Sequence, residues 1–276
     1  MTLDAADQHR RAVTFRRLHE GPTFVLPNPW DAGSARILAQ LGFPALATTS
    51  GGLAFALGRR DGANLVSRAE TLRNVRLIAD ATPLPVAADL ESGFGDNPAE
   101  VAETIRLAAE AGAVGGSIED ATGDPADPIR PLEDAVRRVE AAVTAARALP
   151  FPFTLAARAE NFLYGRADLP DTIRRLRAYA AAGADVLYAP GLPDLDAVRS
   201  VCAAVDKPVN ALAGGAPGVT VAMLADCGVR RVSVGSALAR VALTAFVDAA
   251  REIRDTGTFG FATEVLSYPR VNALWP

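Results

Sequence analysis

Carboxylates carry the chemistry this sequence can offer. They cluster in three short stretches: Asp89-Leu90-Glu91-Ser92-Gly93-Phe94-Gly95, Ser117-Ile118-Glu119-Asp120 and Ala157-Arg158-Ala159-Glu160. Each follows an apolar, β-prone run. Side chains alternate along a strand, so Asp89 and Glu91 are expected on one side, and likewise Arg158 and Glu160. Acids converging at one place repel one another unless a positive group sits among them. A hard cation such as Mg²⁺ (or Mn²⁺) takes oxygen ligands and often keeps several waters, so one or two direct carboxylates suffice. Arg158 suits a bidentate grip on a substrate carboxylate. The plainer reading is a structural ring of ion pairs.

Other residue types narrow the choice. The histidines are His9 and His19, both ahead of the first core strand, and the lysine is Lys207. A histidine-ligated metal or a Ser–His triad within the core is thereby disfavoured. Lys207 lies in Asp206-Lys207-Pro208, before a strand rather than after it, which argues against a Schiff-base role. Cys202 and Cys227 fall in alanine-rich helical stretches and read as reduced structural thiols. Ser50-Gly51-Gly52 closes a strand, where freed backbone N–H groups suit a developing oxyanion; a simple turn is the alternative. Asn210 lies within a strand, either as a satisfied buried amide or reaching the interior. Tyr188, near a strand end, reads first as packing. Ala213-Gly214-Gly215 and Gly235-Ser236 stand where many barrels bind phosphate.

The elements that must position these groups repeat one unit: an apolar run, a turn, then an alanine-rich amphipathic stretch. Strands are predicted at Phe24–Leu26, Ala45–Thr49, Val86–Leu90, Gly116–Glu119, Phe153–Arg158, Val186–Ala189, Val209–Leu212 and Arg231–Val234, with helices between and a last helix from Ser236 to Arg254. Glycines after four helices (Gly42, Gly112, Gly183 and Gly228) suit left-handed C-caps. Eight such units within 276 residues predict an α/β fold, a (β/α)₈ TIM-type barrel. Pro27-Asn28-Pro29-Trp30 after the first strand is unlike a dinucleotide fingerprint, which disfavours an open doubly wound sheet. We expect one barrel domain over 1–276, with its core at about 22–256 and a C-terminal helical, aromatic extension at about 257–276. The glycine-containing stretch from Gly51 to Gly62 has the makings of a lid. The tail holding Phe259, Phe261, Tyr268 and Trp275 needs a surface, on this barrel or on a neighbouring subunit.

Half the residues are hydrophobic, only 6% are aromatic, and the formal net charge is −4, so the core is built from Ala, Val and Leu. No basic footprint for nucleic acid or anionic membrane stands out, and no apolar run reaches the roughly 18 residues of a membrane span. The N-terminal stretch lacks the apolar segment of a secretory signal, so a soluble cytoplasmic protein is expected.

Taken in order, these stretches resemble the isocitrate lyase/phosphoenolpyruvate mutase superfamily, from Pro27-Asn28-Pro29-Trp30-Asp31 to about Gly235. Ala88-Asp89-Leu90-Glu91-Ser92-Gly93-Phe94-Gly95 is similar to that family's D-x-D-x-G-[FY]-G metal loop. Thr49-Ser50-Gly51, Ile118-Glu119-Asp120, Ala157-Arg158-Ala159-Glu160 and Pro208-Val209-Asn210-Ala211-Leu212 follow in the expected order. The resemblance implies that Asp89 binds the metal, with Glu91 and Glu119 directly or through water. It implies substrate contacts from Ser50, Gly51, the adjacent Gly52, Asp89, Arg158, Tyr188 and Asn210, and catalytic parts for Asp61, Arg158 and Glu119. It implies cleavage or formation of a C–C bond, or a C–P bond, beside the oxo group of a small 2-oxo acid, and a homo-oligomer (dimer or tetramer). Two departures stand out. Glu91 replaces the second aspartate, and Ala121-Thr122-Gly123 replaces the K-[KR]-C-G-H motif of the isocitrate and methylisocitrate lyases. Isocitrate cleavage by that cysteine is disfavoured, and a weakly catalytic 2-oxo dicarboxylate binder stays open.

Overall fold

The computed structural model describes residues 4–214 and 218–275. Its chain order is α1 (Ala5–Leu18), β1 (Phe24–Leu26), α2 (Ala32–Gln40), β2 (Leu46–Ala47), α3 (Ser50–Ala56), α4 (Arg68–Ala81), β3 (Val86–Asp89), α5 (Pro98–Glu110), β4 (Gly115–Glu119) and α6 (Leu132–Arg147). It continues through β5 (Thr154–Arg158), α7 (Leu169–Ala181), β6 (Val186–Tyr188), α8 (Leu195–Ala204), β7 (Val209–Leu212), α9 (Val221–Asp226), β8 (Arg231–Ser233), α10 (Ala237–Thr256) and α11 (Tyr268–Asn272). All eight strands run parallel in the order β1-β8-β7-β6-β5-β4-β3-β2, a nearly closed (β/α)₈ barrel. Each strand returns in the same direction because a helix crosses over between it and the next.

The seam between β1 and β2 has no strand ladder, and other bonds close it. Ala47 N donates to Pro27 O at 3.1 Å. Asn28, buried, donates from Nδ2 to Thr48 O at 3.1 Å and accepts the N–H groups of Val234 and Gly235, each at 2.9 Å. One amide from the Pro-Asn-Pro-Trp stretch thus ties three strand ends together. Those two N–H groups are already engaged, which weakens the phosphate-site reading of Gly235-Ser236; Gly215 lies outside the described residues.

The helix-ending glycines behave as expected, with φ from +84° at Gly42 to +101° at Gly183. Three boundaries differ with consequence. β2 stops at Ala47, and Ser50-Gly51-Gly52 opens α3 instead of ending a strand. Thr49 is the reason: its hydroxyl accepts Gly52 N at 3.2 Å and caps the helix. β3 stops at Asp89, and Glu91 sits in a left-handed turn at φ +48°, so strand alternation does not set its direction. The N-terminal stretch, which sequence reading left outside the barrel core, forms α1 and lies across the lower end of the barrel. Ala12 and Phe15 are fully buried there with Phe24, Leu26, Ala45, Ala87 and Val114. A Cβ on Gly115 would come within 2.7 Å of the Phe15 ring, so that position of β4 accepts only glycine.

The tail returns to its own barrel. Gln40 Nε2 donates to Leu274 O at 2.7 Å, and the Trp275 ring lies beside Gly33 of α2. α10 is different: of its 20 residues only Ala239 is buried, and Val241, Leu243, Phe246 and Val247 face outward.

Candidate active site

A cavity of about 200 Å³ opens at the carboxyl ends of the strands, where barrel enzymes place their chemistry. Ser50, Gly51, Asp61, Asp89, Arg158, Tyr188 and Asn210 line it. Gly52 does not; a Cβ there would meet Thr49 and Trp30 beneath α3 at 2.6 and 2.8 Å. Glu91 and Glu119 stand behind this wall.

Arg158 is the hub. Its Nη1 donates to Asp89 Oδ1 at 3.0 Å and lies 3.2 Å from Glu119 Oε2, while Nε donates to Glu160 Oε1 at 2.8 Å. The guanidinium also lies over the Tyr188 ring, 5.1 Å from its centroid. Register explains the convergence: Glu119 pairs with Arg158 across β4 and β5, and Arg158 with Tyr188 across β5 and β6. The ion-pair ring weighed from sequence is therefore real, and Arg158 joins the acids while still facing the cavity. Asp89 Oδ2 additionally accepts Ser50 N at 3.1 Å, and Asp89 N donates to Thr48 Oγ1 at 2.9 Å.

Two buried cations behind the wall fix these groups, and sequence reading missed both. Arg138 of α6, 1% exposed, donates to the carbonyls of Ser92, Gly95 and Asp96 at 2.6, 2.8 and 3.0 Å. It holds the acidic loop after β3 from outside the barrel. Arg175 of α7 donates to Asp120 Oδ2 at 3.0 Å, and Tyr179 OH reaches the same oxygen at 2.7 Å. Asp120 Oδ1 then accepts Glu160 N at 2.8 Å, which sets the carboxylate that steers Arg158. Both arginines sit within amphipathic helices, where sequence pattern alone does not distinguish a buried arginine from a solvated one.

Asp61 enters from the loop between α3 and α4. An added Cβ on Gly51 would lie 2.7 Å from Asp61 Oδ2, so glycine there is what lets the loop close. Asn64 donates to Thr122 O at 3.4 Å and occupies the space beside Gly123, tying the loop to the segment after β4. Arg59 anchors its base to Glu70 at 2.8 Å. The expected loop therefore runs beside the cavity, with α3 forming its first part and Asp61 lining the cavity wall.

The electrostatics are lopsided. One guanidinium faces five carboxyl groups: Asp61, Asp89, Glu91, Glu119 and Glu160. Burial, then the charges of Asp89 and Asp61, push the Glu91 carboxyl up to about 8. Burial and the Asp89 charge raise Asp61, and burial raises Glu119 against the pull of Arg158. Among the described residues no three His, Cys, Asp or Glu side chains are drawn together as a ready cage. The donors are nonetheless all hard oxygens with negative charge in excess, which fits a dication that keeps part of its water.

A stability signature follows. A carboxyl whose folded pKa lies above its unfolded value makes the folded chain bind more protons. Stability from Glu91 is therefore present below its ordinary pKa of 4.5 and is lost as pH rises through about 8. In chelator, the melting temperature should fall less steeply between pH 5 and 8 in Glu91→Gln than in the parent chain. Saturating Mg²⁺ should flatten the parent's slope. Parallel slopes for parent and variant would contradict this.

Lower in the cavity, Asn210 donates to Ser233 Oγ at 2.9 Å and accepts from Arg231 Nε at 2.8 Å. Asn210 is thus a satisfied amide that also faces the interior. Arg231 and Ser233 were missed, although alternation along β8 puts both on one face. Lys207 precedes β7 and lies at the opposite end of the barrel, while Cys202 and Cys227 pack outside it around Val198, Leu224 and Val232.

Comparison with known proteins identifies the family and the fold. A family model described as phosphoenolpyruvate phosphomutase matches residues 15–254. An oxaloacetate decarboxylase of Bradyrhizobium diazoefficiens is 34% identical over 215 residues, covering 75% of this chain and 72% of its own. A solved Burkholderia cenocepacia protein, assigned only to the class lyase/mutase, superposes with a TM-score of 0.94 at 56% identity, over 98% of this chain and 96% of that one. The structure of oxaloacetate acetylhydrolase with its product oxalate superposes with a TM-score of 0.86 at 27% identity, over 95% and 93%.

Proposed function

Since the chain belongs to the phosphoenolpyruvate phosphomutase family, within the isocitrate lyase/phosphoenolpyruvate mutase superfamily, we propose that this enzyme cleaves or forms a C–C bond beside the oxo group of a small 2-oxo acid, with Mg²⁺ (or Mn²⁺) as cofactor. The observation that carries this reading is the cavity wall itself, where Asp89, Arg158, Ser50 and Asp61 meet around a space too small for a nucleotide cofactor.

Asp89 would hold the cation, with Glu91 and Glu119 directly or through water. When bound there, the cation would supply Lewis-acid polarisation of the oxo group and stabilisation of the negative charge that develops beside it. The chain does the rest. Arg158 faces the cavity between Asp89 and Tyr188, placed to orient a substrate carboxylate. Gly51 presents bare backbone toward the oxo oxygen. Asp61, raised by burial and by Asp89, keeps its proton to higher pH than a solvated aspartate and so can give or take one above Gly51. Closure of its loop excludes water from the cavity.

The test is a screen of purified protein with Mg²⁺ or chelator against oxaloacetate, 2-alkylmalates and phosphonopyruvate. Metal-dependent turnover of a C–C substrate is the expected result. Turnover of phosphonopyruvate alone would favour the C–P reading, which the matched family model supports. Metal-dependent binding without turnover of any of them would overturn catalysis on this class.

The same reading extends to assembly. The apolar side chains of α10, with Phe246 70% and Val241 67% exposed, suit burial against another copy in a homo-oligomer. Light scattering that returns a monomer mass at micromolar concentration would refute it. Among the described residues no helix is long and apolar enough to cross a membrane.

A further inference from the structure

Below its acidic mouth the cavity changes sign. Arg231 and Asn210 line it there, facing Leu26, Ala47 and Ala87. Barrel interiors are ordinarily filled by layers of bulky branched side chains. Here β2 and β3 contribute alanines, and the space they leave runs down to a guanidinium.

That guanidinium has only neutral partners among the described residues. Arg231 is 5% exposed; its Nε donates to Asn210 Oδ1 at 2.8 Å, and its Nη1 lies 3.4 Å from His19 Nε2. His19 Nδ1 lies 2.9 Å from Phe15 O, so it carries the ring proton and leaves Nε2 as an acceptor. Burial and the Arg231 charge press the His19 pKa down to about 3, which keeps that ring uncharged. Burial opposes the Arg231 charge, the Tyr188 phenol favours it, and Arg158, a second cation, opposes it. Burying a charge without a counter-charge is costly, and proteins rarely keep one without a use.

We infer that Arg231, oriented by Asn210, receives the distal carboxylate of a 2-oxo dicarboxylate whose oxo-acid end lies at Asp89. This rests on the 2-oxo acid reading above and narrows it. Arg158, Tyr188, Asn210 and Arg231 are successive register partners across β5 to β8. Three strand spacings of about 4.8 Å put the two arginine backbones about 14 Å apart along the wall. Both side chains line the same cavity, so a ligand seated in it has one arginine at the acidic mouth and the other at the deep end. The plainer role for Arg231 is a brace that holds α1 through His19, and the experiment separates the two.

Two dianions serve as probes, each titrated calorimetrically into the full chain with Mg²⁺ present. Oxalate reproduces the oxo-acid end and has no distal arm; 3,3-difluorooxaloacetate adds one. The parent chain should prefer the longer ligand. Arg231→Met should weaken 3,3-difluorooxaloacetate by about 30-fold or more and oxalate by less than about 3-fold, as expected for losing one partner of a buried charge pair. Arg231→Lys, which keeps the charge, should fall between parent and Met. Equal losses for both ligands, or none for either, would reduce Arg231 to a brace. If Arg231→Met does not fold, Asn210→Ala and the parent decide: no preference for the longer ligand in the parent, or no selective loss in Asn210→Ala, overturns the inference. Failure of both ligands to bind the parent chain overturns the 2-oxo acid reading instead.

Discussion

Asp89→Asn is expected to lower turnover of the 2-oxo acid substrate by about 10³-fold, the order seen when a charged or preorganised group at the reacting centre is removed. Asp89 is the carboxylate that combines three positions: the end of β3, the cavity wall, and bonds to both Arg158 and the first N–H of α3. Asparagine keeps the shape and can still accept from Ser50 N, so the backbone has no reason to move. What disappears is the charge. With one acid fewer around Arg158, repulsion within the cluster falls, and melting temperature in chelator should stay level or rise. Loss of activity without loss of stability is therefore the signature, read by kcat and thermal denaturation on one preparation. A variant that keeps activity within about tenfold of the parent removes Asp89 from the chemistry.

Arg158→Met should do the reverse and strike the fold first. Its side chain is 14% exposed, and those of Asp89, Glu119 and Glu160 are 15%, 12% and 2% exposed, so the three acids would lose their shared cation where water screens poorly. Breaking a buried ion pair from one side costs about 3–5 kcal/mol, because the remaining charge is stranded. The penalty depends on those acids being ionised. The Glu119 and Glu160 carboxyls, already raised by burial, would climb further above their unfolded values, so the deficit should shrink as pH falls toward 5 and widen toward 8. Urea denaturation at those two pH values checks this. A deficit independent of pH would mean that Arg158 stabilises by packing on Tyr188 rather than by charge. Arg158→Lys should recover part of the stability but not the fork that engages several acids at once.

Much of this barrel was legible before any coordinates. Repeated strand–helix units gave eight strands within one or two residues of their observed ends, and β7 at Val209–Leu212 coincides. Glycine after four of the helices carried clear information because a left-handed C-cap has few other occupants. The acids and Arg158 were legible for a related reason: charge at the end of an apolar strand has little structural excuse. Glu91 shows the limit of that logic. Period-two alternation assumes continued β-backbone, and a left-handed residue after Asp89 breaks it. Ser50-Gly51-Gly52 misled because two glycines read as a turn, whereas a threonine cap and the Leu53-Ala54-Phe55-Ala56 that follows were enough for a helical turn. Arg138, Arg175 and Arg231 stayed hidden for a common reason. A charge on a helix face or in a strand core is indistinguishable from a solvated one until tertiary structure buries it.

The helix across the lower end of the barrel has a kinetic corollary. With Phe15, His19 and Arg231 closing that end among the described residues, a substrate of the proposed kind and its products would share the opening lined by Asp61. On the proposed reading, the part of the substrate seated deepest would enter first and leave last, which makes release ordered.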